Sequence, residues 1–313
     1  MDKIAIVLPV HNRKQYTMSC LEQLQGIDRN GFTAEIVVVD DGSTDGTSQA
    51  VAARYPDITI LEGDGNLWWA GGVNKGFSYA LENGFDFVYT LNDDIEFFPD
   101  TLQVLYDTLK SRRNCVCGSI FMSFRNRNRI VYAGVEVYGF FNKLRSRFKG
   151  PYLEEYRDKI HEADTLSTKS TLTPVAVIKK VGLVDAEHFP HNYADFDYFM
   201  RVKKAGFPLL VHFGSRIFTR GSDSNFHFLI LEKTPREVFR TFFDVKYGNH
   251  LRSLYFYSTK RENVLKGHIL FIHNMIPYAF WLLLKVVLPK KWLESLLVKT
   301  GRIKAVQNQR SPV

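Results

Sequence analysis

The sequence is poor in cysteine and lacks the common glycine-rich nucleotide-binding motifs. Its 313 residues include three cysteines, at positions 20, 115 and 117, without a Cys-x-x-Cys pair. A secreted, disulfide-stabilised domain would carry a paired framework, so we expect a reducing, cytoplasmic environment. No Gly-x-Gly-x-x-Gly follows the first predicted strand, and there is no Walker lysine loop. These absences argue against dinucleotide-binding enzymes and P-loop NTPases.

The N-terminal third alternates strand patterns with helix patterns. Apolar runs predict four strands, and apolar residues at helical spacing predict helices between them. The strands are predicted at residues 4–8, 36–39, 58–61 and 87–91, and the helices at 12–24, around 50–53 and at 71–83. Strands that alternate with helices of this length form right-handed βαβ units on a mainly parallel sheet. The predicted fold class is therefore α/β, with a Rossmann-like nucleotide site.

Two adjacent carboxylates follow the fourth predicted strand, in the segment Tyr89-Thr-Leu-Asn-Asp-Asp-Ile95. Because open α/β sheets bind ligands at the carboxyl ends of their strands, Asp93 and Asp94 are expected at such a site. Two carboxylates this close repel each other unless they are compensated, and a divalent ion that carries a diphosphate would compensate them. The alternative is an ordinary turn in which the aspartates cap the next helix.

Five segments resemble, in order, the inverting glycosyltransferases of family 2. They lie at residues 8–13, 39–46, 63–76, 92–94 and 172–206, and the resemblance extends over residues 3–225. Any one of these motifs is weak, but the five in one order are far more specific. The resemblance implies the GT-A fold, a Rossmann-like mixed sheet with helices on both faces, in residues 1–230. A C-terminal helical region is expected in residues 231–313.

The resemblance also implies a site for a nucleotide sugar. Asp41, more than Asp40, has the position of the carboxylate that accepts a hydrogen bond from the imide N–H of the base. Asp93 is expected near the ribose or the donor sugar, and Asp94 is expected to coordinate Mg²⁺ or Mn²⁺ between the two phosphates. The nucleotide-sugar-binding positions are Pro9, His11, Asp40, Asp41, Asn66, Asn74 and Asp93. The Asp40–Asp41 segment also has the pattern of a strand-to-helix turn, and the two interpretations are compatible.

Asp195 aligns with the catalytic base of the family. An acceptor hydroxyl has a pKa far above neutral, so it needs a positioned carboxylate to take its proton as it attacks the anomeric carbon. Asp197 and Arg201 follow on the same predicted helix and are expected on the acceptor side. The alternative for these two residues is a solvated helix face.

The chain departs from the family pattern at several positions. Many members carry a histidine after the acceptor helix that completes the metal shell, whereas Thr219 or Arg220 lies near that place here. We therefore expect fewer protein ligands on the metal, or a contact of Arg220 with the phosphates. Val73 replaces a frequent arginine, as in some rhamnosyl-type members, which leaves the donor sugar open. The absence of Gln-x-x-Arg-Trp, a signature of processive synthases, predicts the addition of one sugar per visit.

The C-terminal region is helical in pattern and strongly aromatic, with its most apolar window at residues 269–288. Polar or helix-breaking residues interrupt this window, and an isolated spanning helix tolerates them poorly. They are His273, Asn274, Pro277 and Lys285. With the basic stretch that follows, the pattern predicts a helical hairpin in the membrane interface, peripheral on the inner face of the cell membrane. The alternative is a helical cap packed on the catalytic domain.

The chain has an excess of basic residues, with a formal net charge of +8 and a pI of about 9.2. Such a charge favours an anionic partner. Because the basic residues adjoin the apolar window rather than a set of stacking aromatic side chains, we expect a membrane surface and no nucleic acid.

The expected function is that of a metal-dependent inverting glycosyltransferase in cell-surface polysaccharide synthesis. It would move rhamnose or a hexose from a nucleotide diphosphate sugar to a glycan acceptor on a lipid carrier. One alternative is a sugar-1-phosphate nucleotidyltransferase, which would need a glycine-rich basic loop that residues 7–13 lack. Another is a catalytically silent, nucleotide-sugar-binding relative. Such a relative has no chemical reason to keep Asp41, Asp94 and Asp195 together.

Overall fold

The computed structural model describes residues 1–219 and 226–302. The chain divides into two compact units, Met1–Gly221 and Ser222–Val313. The boundary predicted between residues 230 and 231 falls within the first helix of the second unit, Phe226–Glu232.

The first unit alternates strands and helices as far as its fourth strand and is then rich in strands. Its strands are β1 (Asp2–Val10), β2 (Phe32–Asp40), β3 (Thr59–Glu62), β4 (Phe87–Leu91), β5 (Ile95–Phe97), β6 (Val116–Ser123), β7 (Arg129–Tyr132), β8 (Glu136–Tyr138), β9 (Lys143–Arg145), β10 (Gly150–Pro151), β11 (Ile160–Ala163), β12 (Ser170–Pro174) and β13 (Leu209–Thr219). Its helices are α1 (Lys14–Gln25), α2 (Thr47–Arg54), α3 (Trp68–Glu82), α4 (Thr101–Ser111), α5 (Val175–Val181) and α6 (Ala194–Lys204), with a 3₁₀ helix at Glu154–Tyr156. β4 has the predicted bounds, whereas α3 begins at Trp68 rather than at Gly71.

A mixed sheet of eleven strands forms the centre of this unit. The strands β3, β2, β1 and β4 are neighbours in that order and run parallel, as predicted. β12 then pairs antiparallel with β4 and with β6, and β13 runs parallel to β6. The mixed α/β sheet is therefore confirmed, and parallel pairing is found among its first four strands and between β6 and β13.

Helices cover both faces of β1. Successive side chains of a strand point to opposite faces, so one set of β1 residues packs on α1 and α4 and the other set on α3. Ile4, Ile6 and Leu8 are fully buried in a core that they share with apolar residues of α1 and α4. On the other face, α3 approaches so closely that a Cβ at Gly76 would overlap Val7 Cγ1. Glycine at position 76 thus allows α3 to cross β1 at backbone distance.

All regular secondary structure in the described residues of the second unit is helical. Its helices are α7 (Phe226–Glu232), α8 (Pro235–Arg240), α9 (Leu251–Thr259), α10 (Val264–Val287) and α11 (Lys290–Lys299), with a 3₁₀ helix at Thr241–Phe243. Phe226, Trp281 and Leu293 belong to one buried cluster, which joins α7, α10 and α11. α8 begins with a capping box, in which Thr234 and Glu237 each accept a hydrogen bond from the backbone N–H of the other. This unit therefore has a core of its own.

α10 contains most of the apolar window predicted at residues 269–288. It is the one helix of the described chain that is long and apolar enough to cross a membrane, and 11% of its most apolar window is buried. The helix continues through Pro277. Asn274, another interruption of the window, donates a hydrogen bond to Ser258 Oγ of α9 at 3.1 Å. The polar residue in the apolar window thus has a partner within the unit.

Candidate active site

The parallel register of β1, β2 and β4 brings the loops that follow them to one edge of the sheet. Val10 at the end of β1 pairs with Asp40 at the end of β2, and the N–H of Asp41 donates to the Val10 carbonyl at 2.9 Å. β4 lies on the other side of β1 and ends directly before the segment 92–94. Open α/β sheets bind their ligands at such an edge.

Asp93 is buried beside the guanidinium group of Arg13. Arg13 Nε lies 2.9 Å from Asp93 Oδ1, and Thr17 Oγ1 donates to Asp93 Oδ2 at 3.3 Å. Burial raises the pKa of Asp93 to about 6, although the positive charge of Arg13 opposes the shift. The negative charge of Asp94 raises it further. Asp93 is therefore fixed against the start of α1, and a contact with the ribose or the sugar stays a prediction.

Asp94 has a buried oxygen that accepts no hydrogen bond from the described residues. Asp94 Oδ2 is 3.6 Å from Arg13 Nη2, whereas the buried Oδ1 has the Lys169 ammonium 4.0 Å away. A buried acceptor without a donor is costly, and a carboxylate oxygen of this kind suits Mg²⁺ or Mn²⁺. The donor set at Asp94 therefore fits a hard divalent ion.

The protein offers few further ligands for such an ion. Within residues 1–219 and 226–302, no group of three His, Cys, Asp or Glu side chains could hold a metal. An ion at Asp94 would take most of its shell from phosphates and water, as Mg²⁺ commonly does. The expected number of protein ligands on the metal stays a prediction.

Asp41 is held by three backbone N–H groups of the loop that leads into α3. Its Oδ1 accepts from Gly65 at 2.8 Å and from Leu67 at 3.1 Å, and its Oδ2 accepts from Trp68 at 2.9 Å. A carboxylate has about four acceptor positions, so one remains for a ligand. The turn after β2 approaches this loop so closely that a Cβ at Gly42 would lie 2.8 Å from the Gly65 nitrogen. Asp41 thus shapes this loop, whether or not it also contacts a base.

Asp40 supports the turn between β2 and α2. Its Oδ1 accepts from the N–H of Ser43 at 3.0 Å, and its Oδ2 accepts from the hydroxyl of Ser48. Asp40 is nearly inaccessible to solvent. These contacts are those of the strand-to-helix turn that the sequence pattern predicts.

Pro9 and His11 lie at the end of β1 and just beyond it. His11 Nδ1 donates to the carbonyl oxygen of Asp41 at 2.6 Å, which links the first loop to the second. Pro9 faces α3, and a Cβ at Gly72 would lie 3.0 Å from Pro9 Cβ. The side chain of His11 is exposed at the edge, and its Nε2 accepts a hydrogen bond from the Asn12 amide at 2.9 Å, so a ligand contact stays a prediction.

The two predicted asparagines have different surroundings. Asn66 is exposed in the loop before α3, where its N–H donates to Asp64 Oδ1 at 2.9 Å. Asn74 lies within α3, and its side-chain amide makes two hydrogen bonds of 2.8 Å with the backbone of Val184. Asn74 therefore fixes α3 to the segment after α5. A ligand contact of either residue stays a prediction.

Asp195 is the second residue of α6, at the predicted start of the acceptor-side helix. Its Oδ1 accepts from the N–H of Phe196 at 2.9 Å. Burial raises the pKa of Asp195 to about 6, against the effect of this hydrogen bond and of the Lys169 charge. Residues 165–169 lie between the two carboxylates: Thr165 Oγ1 donates to the carbonyl of Phe196, next to Asp195, at 3.1 Å, and the Lys169 carbonyl accepts from the N–H of Asn92, two residues before Asp94, at 3.3 Å.

Asp197 and Arg201 form an ion pair along α6. Arg201 Nε lies 3.0 Å from Asp197 Oδ2, and the guanidinium also donates to the carbonyls of Val181 and Leu183. Asp197 is 1% exposed. The alternative of a solvated helix face is therefore wrong for Asp197, because the pair ties α6 to the end of α5. An acceptor contact stays a prediction for both residues.

The predicted set of site residues omits two basic residues, Arg13 and Lys169. Arg13 is the last residue of the first segment, residues 8–13, and its position two residues after His11 was an available signal. Lys169 belongs to no motif. It reaches the site because Ser170 pairs with Leu91 across the antiparallel strands β12 and β4.

Thr219 and Val73, two of the positions that depart from the family pattern, have clear places in the fold. Thr219 ends β13 and pairs with Ile95, the residue after Asp94, so it lies at the expected edge. Arg220 falls outside the described residues. Val73 is fully buried in α3 and belongs to the core.

The family of the chain follows from a match to the model for glycosyl transferase family 2, which covers residues 5–168, more than half of the chain. The chain belongs to glycosyl transferase family 2. The matched part of this family 2 member includes Asp41, Asp93 and Asp94, whereas Asp195 lies beyond it.

Two curated relatives are similar over part of the chain. An N-acetylglucosaminyl-diphospho-decaprenol L-rhamnosyltransferase of Mycobacterium tuberculosis is 26% identical over 194 residues, which cover 55% of this chain and 61% of the relative. Glycosyltransferase GlyA of Streptococcus pneumoniae is 25% identical over 136 residues, 42% of this chain and 18% of that protein. The chain thus spans about three fifths of the mycobacterial relative.

A solved structure supports the fold of this family 2 member. The crystal structure of GalNAc-T7 with UDP, GalNAc and Mn²⁺ matches with a TM-score of 0.57 at 13% sequence identity. The match covers 83% of this chain and 50% of that one. The GT-A fold is therefore confirmed.

Proposed function

We propose that this protein is an inverting glycosyltransferase that moves rhamnose or a hexose from a nucleoside diphosphate sugar to a glycan acceptor. One observation carries the proposal: residues 165–169 contact both the start of α6, which carries Asp195, and the segment that carries Asp94. Asp94 has a buried oxygen that accepts no hydrogen bond from the described residues, which suits a divalent ion bound to the diphosphate of a nucleotide sugar. Asp195 has a pKa of about 6, which suits the proton of an acceptor hydroxyl.

Asp195 is the general base in this proposal. It takes the proton of the acceptor hydroxyl while the hydroxyl oxygen attacks the anomeric carbon. The new carbon–oxygen bond forms on the face opposite the diphosphate as the bond to the diphosphate oxygen breaks, so the configuration at this carbon inverts. Burial brings the basicity of Asp195 closer to neutral pH while leaving it mostly ionised there.

The donor lies along the carboxyl edge of the sheet in this proposal. The nucleobase contacts the loops of Asp41 and His11, and the diphosphate lies beside Asp94. A bound Mg²⁺ or Mn²⁺ ion would neutralise the charge of the departing nucleoside diphosphate. Arg13 and Lys169 supply further positive charge beside Asp94, which partly makes up for the small number of protein ligands.

The comparisons suggest the donor and the acceptor. The name of the mycobacterial relative joins L-rhamnose to a glycan on diphospho-decaprenol. We extend this pair to the present chain as rhamnose and a lipid-linked acceptor in cell-surface polysaccharide synthesis. A hexose donor stays an alternative to rhamnose, because the similarity to this relative extends over only 55% of this chain.

The second unit supports a peripheral position on the cytoplasmic face of the membrane. Large apolar side chains are exposed along α10 at helical spacing, at Ile269, Ile272, Ile276, Phe280 and Leu283. Such a stripe gains free energy when it enters a membrane interface. The acceptor would then be available in the same plane as the anchor.

The test uses the intact chain with nucleoside diphosphate sugars and a polyprenyl-diphosphate-linked N-acetylglucosamine acceptor. A true donor at a hundred times its Kd adds about 2.7 kcal/mol to the free energy of unfolding, and we expect Mn²⁺ to enhance this effect. NMR of the product should show the anomeric configuration opposite to that of the donor. Retention of configuration would contradict the assigned mechanism, and release of pyrophosphate from a nucleoside triphosphate would favour a nucleotidyltransferase.

A further inference from the structure

β8 and β9 form a hairpin that is anchored at its base. Glu136 pairs in register with Arg145, and His161 Nε2 lies 3.2 Å from a Glu136 oxygen. The N–H of Val137 donates to Asp164 Oδ2 at 2.7 Å. Because an isolated two-stranded hairpin is marginally stable in water, these contacts are what hold it in place.

The tip of this hairpin is aromatic and exposed. Tyr138 is 45% exposed, Phe140 54% and Phe141 38%. The chain reverses at Gly139 and Asn142, which both have positive φ. A group of exposed apolar side chains marks an interaction surface more often than a single exposed apolar residue does. The tip therefore has the composition of a contact element.

Cations line one side of the strand that leaves the tip. Alternation exposes Lys143, Arg145, Arg147 and Lys149, while Ser146 and Phe148 face the unit. Ser146 Oγ accepts a hydrogen bond from a backbone N–H, and the Phe148 ring packs on another aromatic ring. Neighbouring cations are two residues apart, or about 6.6 Å in an extended chain.

Most of these charges are not neutralised by the protein. Arg147 Nη1 lies 3.4 Å from Glu136. Lys143, Arg145 and Lys149 form no ion pair with any residue in the described part of the chain. Within the described residues, the row thus presents three cations without an ion pair next to an aromatic tip.

We propose that this hairpin, residues 136–149, is a lipid-contact element that inserts its aromatic tip into the interface of an anionic membrane. Aromatic rings favour the headgroup level of a bilayer, and Lys and Arg beside them attract anionic lipids. The element lies in the first unit, so the proposal does not depend on α10 and extends the contact with lipid beyond it. The function it adds is to bind the catalytic unit itself to the surface that carries a lipid-linked acceptor.

The charge pattern and the shape favour lipid over nucleic acid. Single-stranded nucleic acid binds in grooves where successive bases stack on aromatic rings. Here Phe140 and Phe141 contact each other edge to face, with ring centroids 5.3 Å apart, at the tip of a hairpin. An inserted tip flanked by cations matches a membrane interface more closely.

A fluorescent label at the tip tests the insertion directly. Cys20, Cys115 and Cys117 are buried, so a cysteine introduced at Phe140→Cys can be labelled selectively with an environment-sensitive nitrobenzoxadiazole. With vesicles of phosphatidylcholine and phosphatidylglycerol, we expect a rise in intensity and a blue shift at position 140. The same label at Lys204→Cys, an exposed position of α6, should not respond.

A charge variant tests the row of cations. In Lys143→Gln/Arg145→Gln/Lys149→Gln, we expect the lipid concentration that gives half of the label response at position 140 to rise about a hundredfold. The matched control Lys179→Gln/Lys180→Gln/Lys204→Gln removes the same charge from exposed positions elsewhere in the first unit and should leave the response nearly unchanged. The label reports the tip itself, so the result does not depend on how strongly α10 binds.

Three results would overturn the proposal. The first is an unchanged label at position 140 with vesicles, whether or not the chain sediments with them. The second is an equal loss in both triple variants, which would mean that net charge alone decides binding. The third is an equal response to single-stranded RNA at the same salt concentration, which would assign the hairpin to polyanions in general.

Discussion

Asp41 follows β2 and Asp94 follows β4 at the same edge of the sheet, yet the two carboxylates differ in their hydrogen bonds. Asp41 accepts three backbone hydrogen bonds and shapes the loop before α3. Asp94 keeps a buried oxygen without a donor from the described residues. A satisfied carboxylate stabilises the folded chain, whereas an unsatisfied one costs stability and is retained for a ligand. The comparison separates a structural half of the site from a reactive half.

Asp195 belongs to the reactive half. Its pKa is raised to about 6, so folding favours the neutral carboxyl more than the unfolded chain does, although the group is still mostly ionised at pH 7. Above its unfolded pKa the charged form therefore reduces stability, and the loss grows until the pH passes the folded value. An aspartate in a favourable ion pair has the opposite effect, because its lowered pKa increases the free energy of unfolding above its unfolded pKa. The chain thus gives up stability at Asp94 and Asp195 and regains some at Asp41.

The largest effect is expected when Asp94 is replaced. Asp94→Ala should abolish measurable turnover and the Mn²⁺ dependence of nucleoside diphosphate binding, because it removes the main protein oxygen for the ion. The melting temperature should change little, because the ion pairs that Asp94 makes with Arg13 and Lys169 are long and partly exposed, at 3.6 and 4.0 Å. Calorimetric titration with and without Mn²⁺ measures the first effect. Unchanged Mn²⁺-dependent affinity would remove Asp94 from the metal site.

The next effect concerns the proposed base. Asp195→Asn keeps the shape of the side chain but cannot accept the proton, so turnover should fall by about 10² to 10⁴. Nucleotide affinity should persist, and the variant should be at least as stable as the parent because the buried charge is gone. Steady-state kinetics and thermal unfolding measure the two results. If near-normal turnover remained, Asp197 would be the first carboxylate to examine.

A stability loss is expected on the structural side. Asp41→Ala leaves three backbone N–H groups without their acceptor, which should cost about 3 kcal/mol in the free energy of unfolding. Asp64→Ala is a suitable control, because Asp64 is exposed in the same loop and accepts from the N–H of Asn66. Denaturant unfolding measures the difference. Equal stability of the two variants would break the contrast between Asp41 and Asp94.

The sequence predicts the parts of the site that follow directly from a strand or begin a helix. Asp93 and Asp94 emerge after β4 because an apolar run of this length is a buried strand, and Asp195 lies at the start of α6 as the resemblance implies. In these places the local pattern and the fold agree. A single sequence is sufficient there because side chain and element are adjacent in the chain.

The remaining contacts depend on pairing between distant segments. Lys169 comes to Asp94 through the antiparallel pairing of β12 with β4, and a helix or strand pattern does not encode which strands pair. Asn74 has the position of a ligand-binding residue in the family, but its amide bonds to Val184, 110 residues away. Arg201 shows the same limit, because its carbonyl partners lie on another element. Local spacing could not reveal these partners.

The smallest effect concerns pH and tests whether the reactive half contains the base. The value of kcat/KM reports the ionisation of the free enzyme, and the base acts only when it is ionised. Because the pKa of Asp195 is about 6, activity should be near its plateau at neutral pH and fall about tenfold per unit as the pH drops below 6. The residual activity of Asp195→Asn should lose this acidic limb.

Asp93 also has a pKa raised to about 6, so the source of the acidic limb must be separated from it. In Asp93→Asn the limb should persist, because Asp195 still titrates, even if the affinity for the donor falls. In Lys169→Met the limb should move to higher pH, since the Lys169 charge lowers the pKa of Asp195. A limb that disappears in Asp93→Asn and remains in Asp195→Asn would assign the titration to the donor side. The reactive half would then contain a donor-binding carboxylate, and the acceptor proton would need another base.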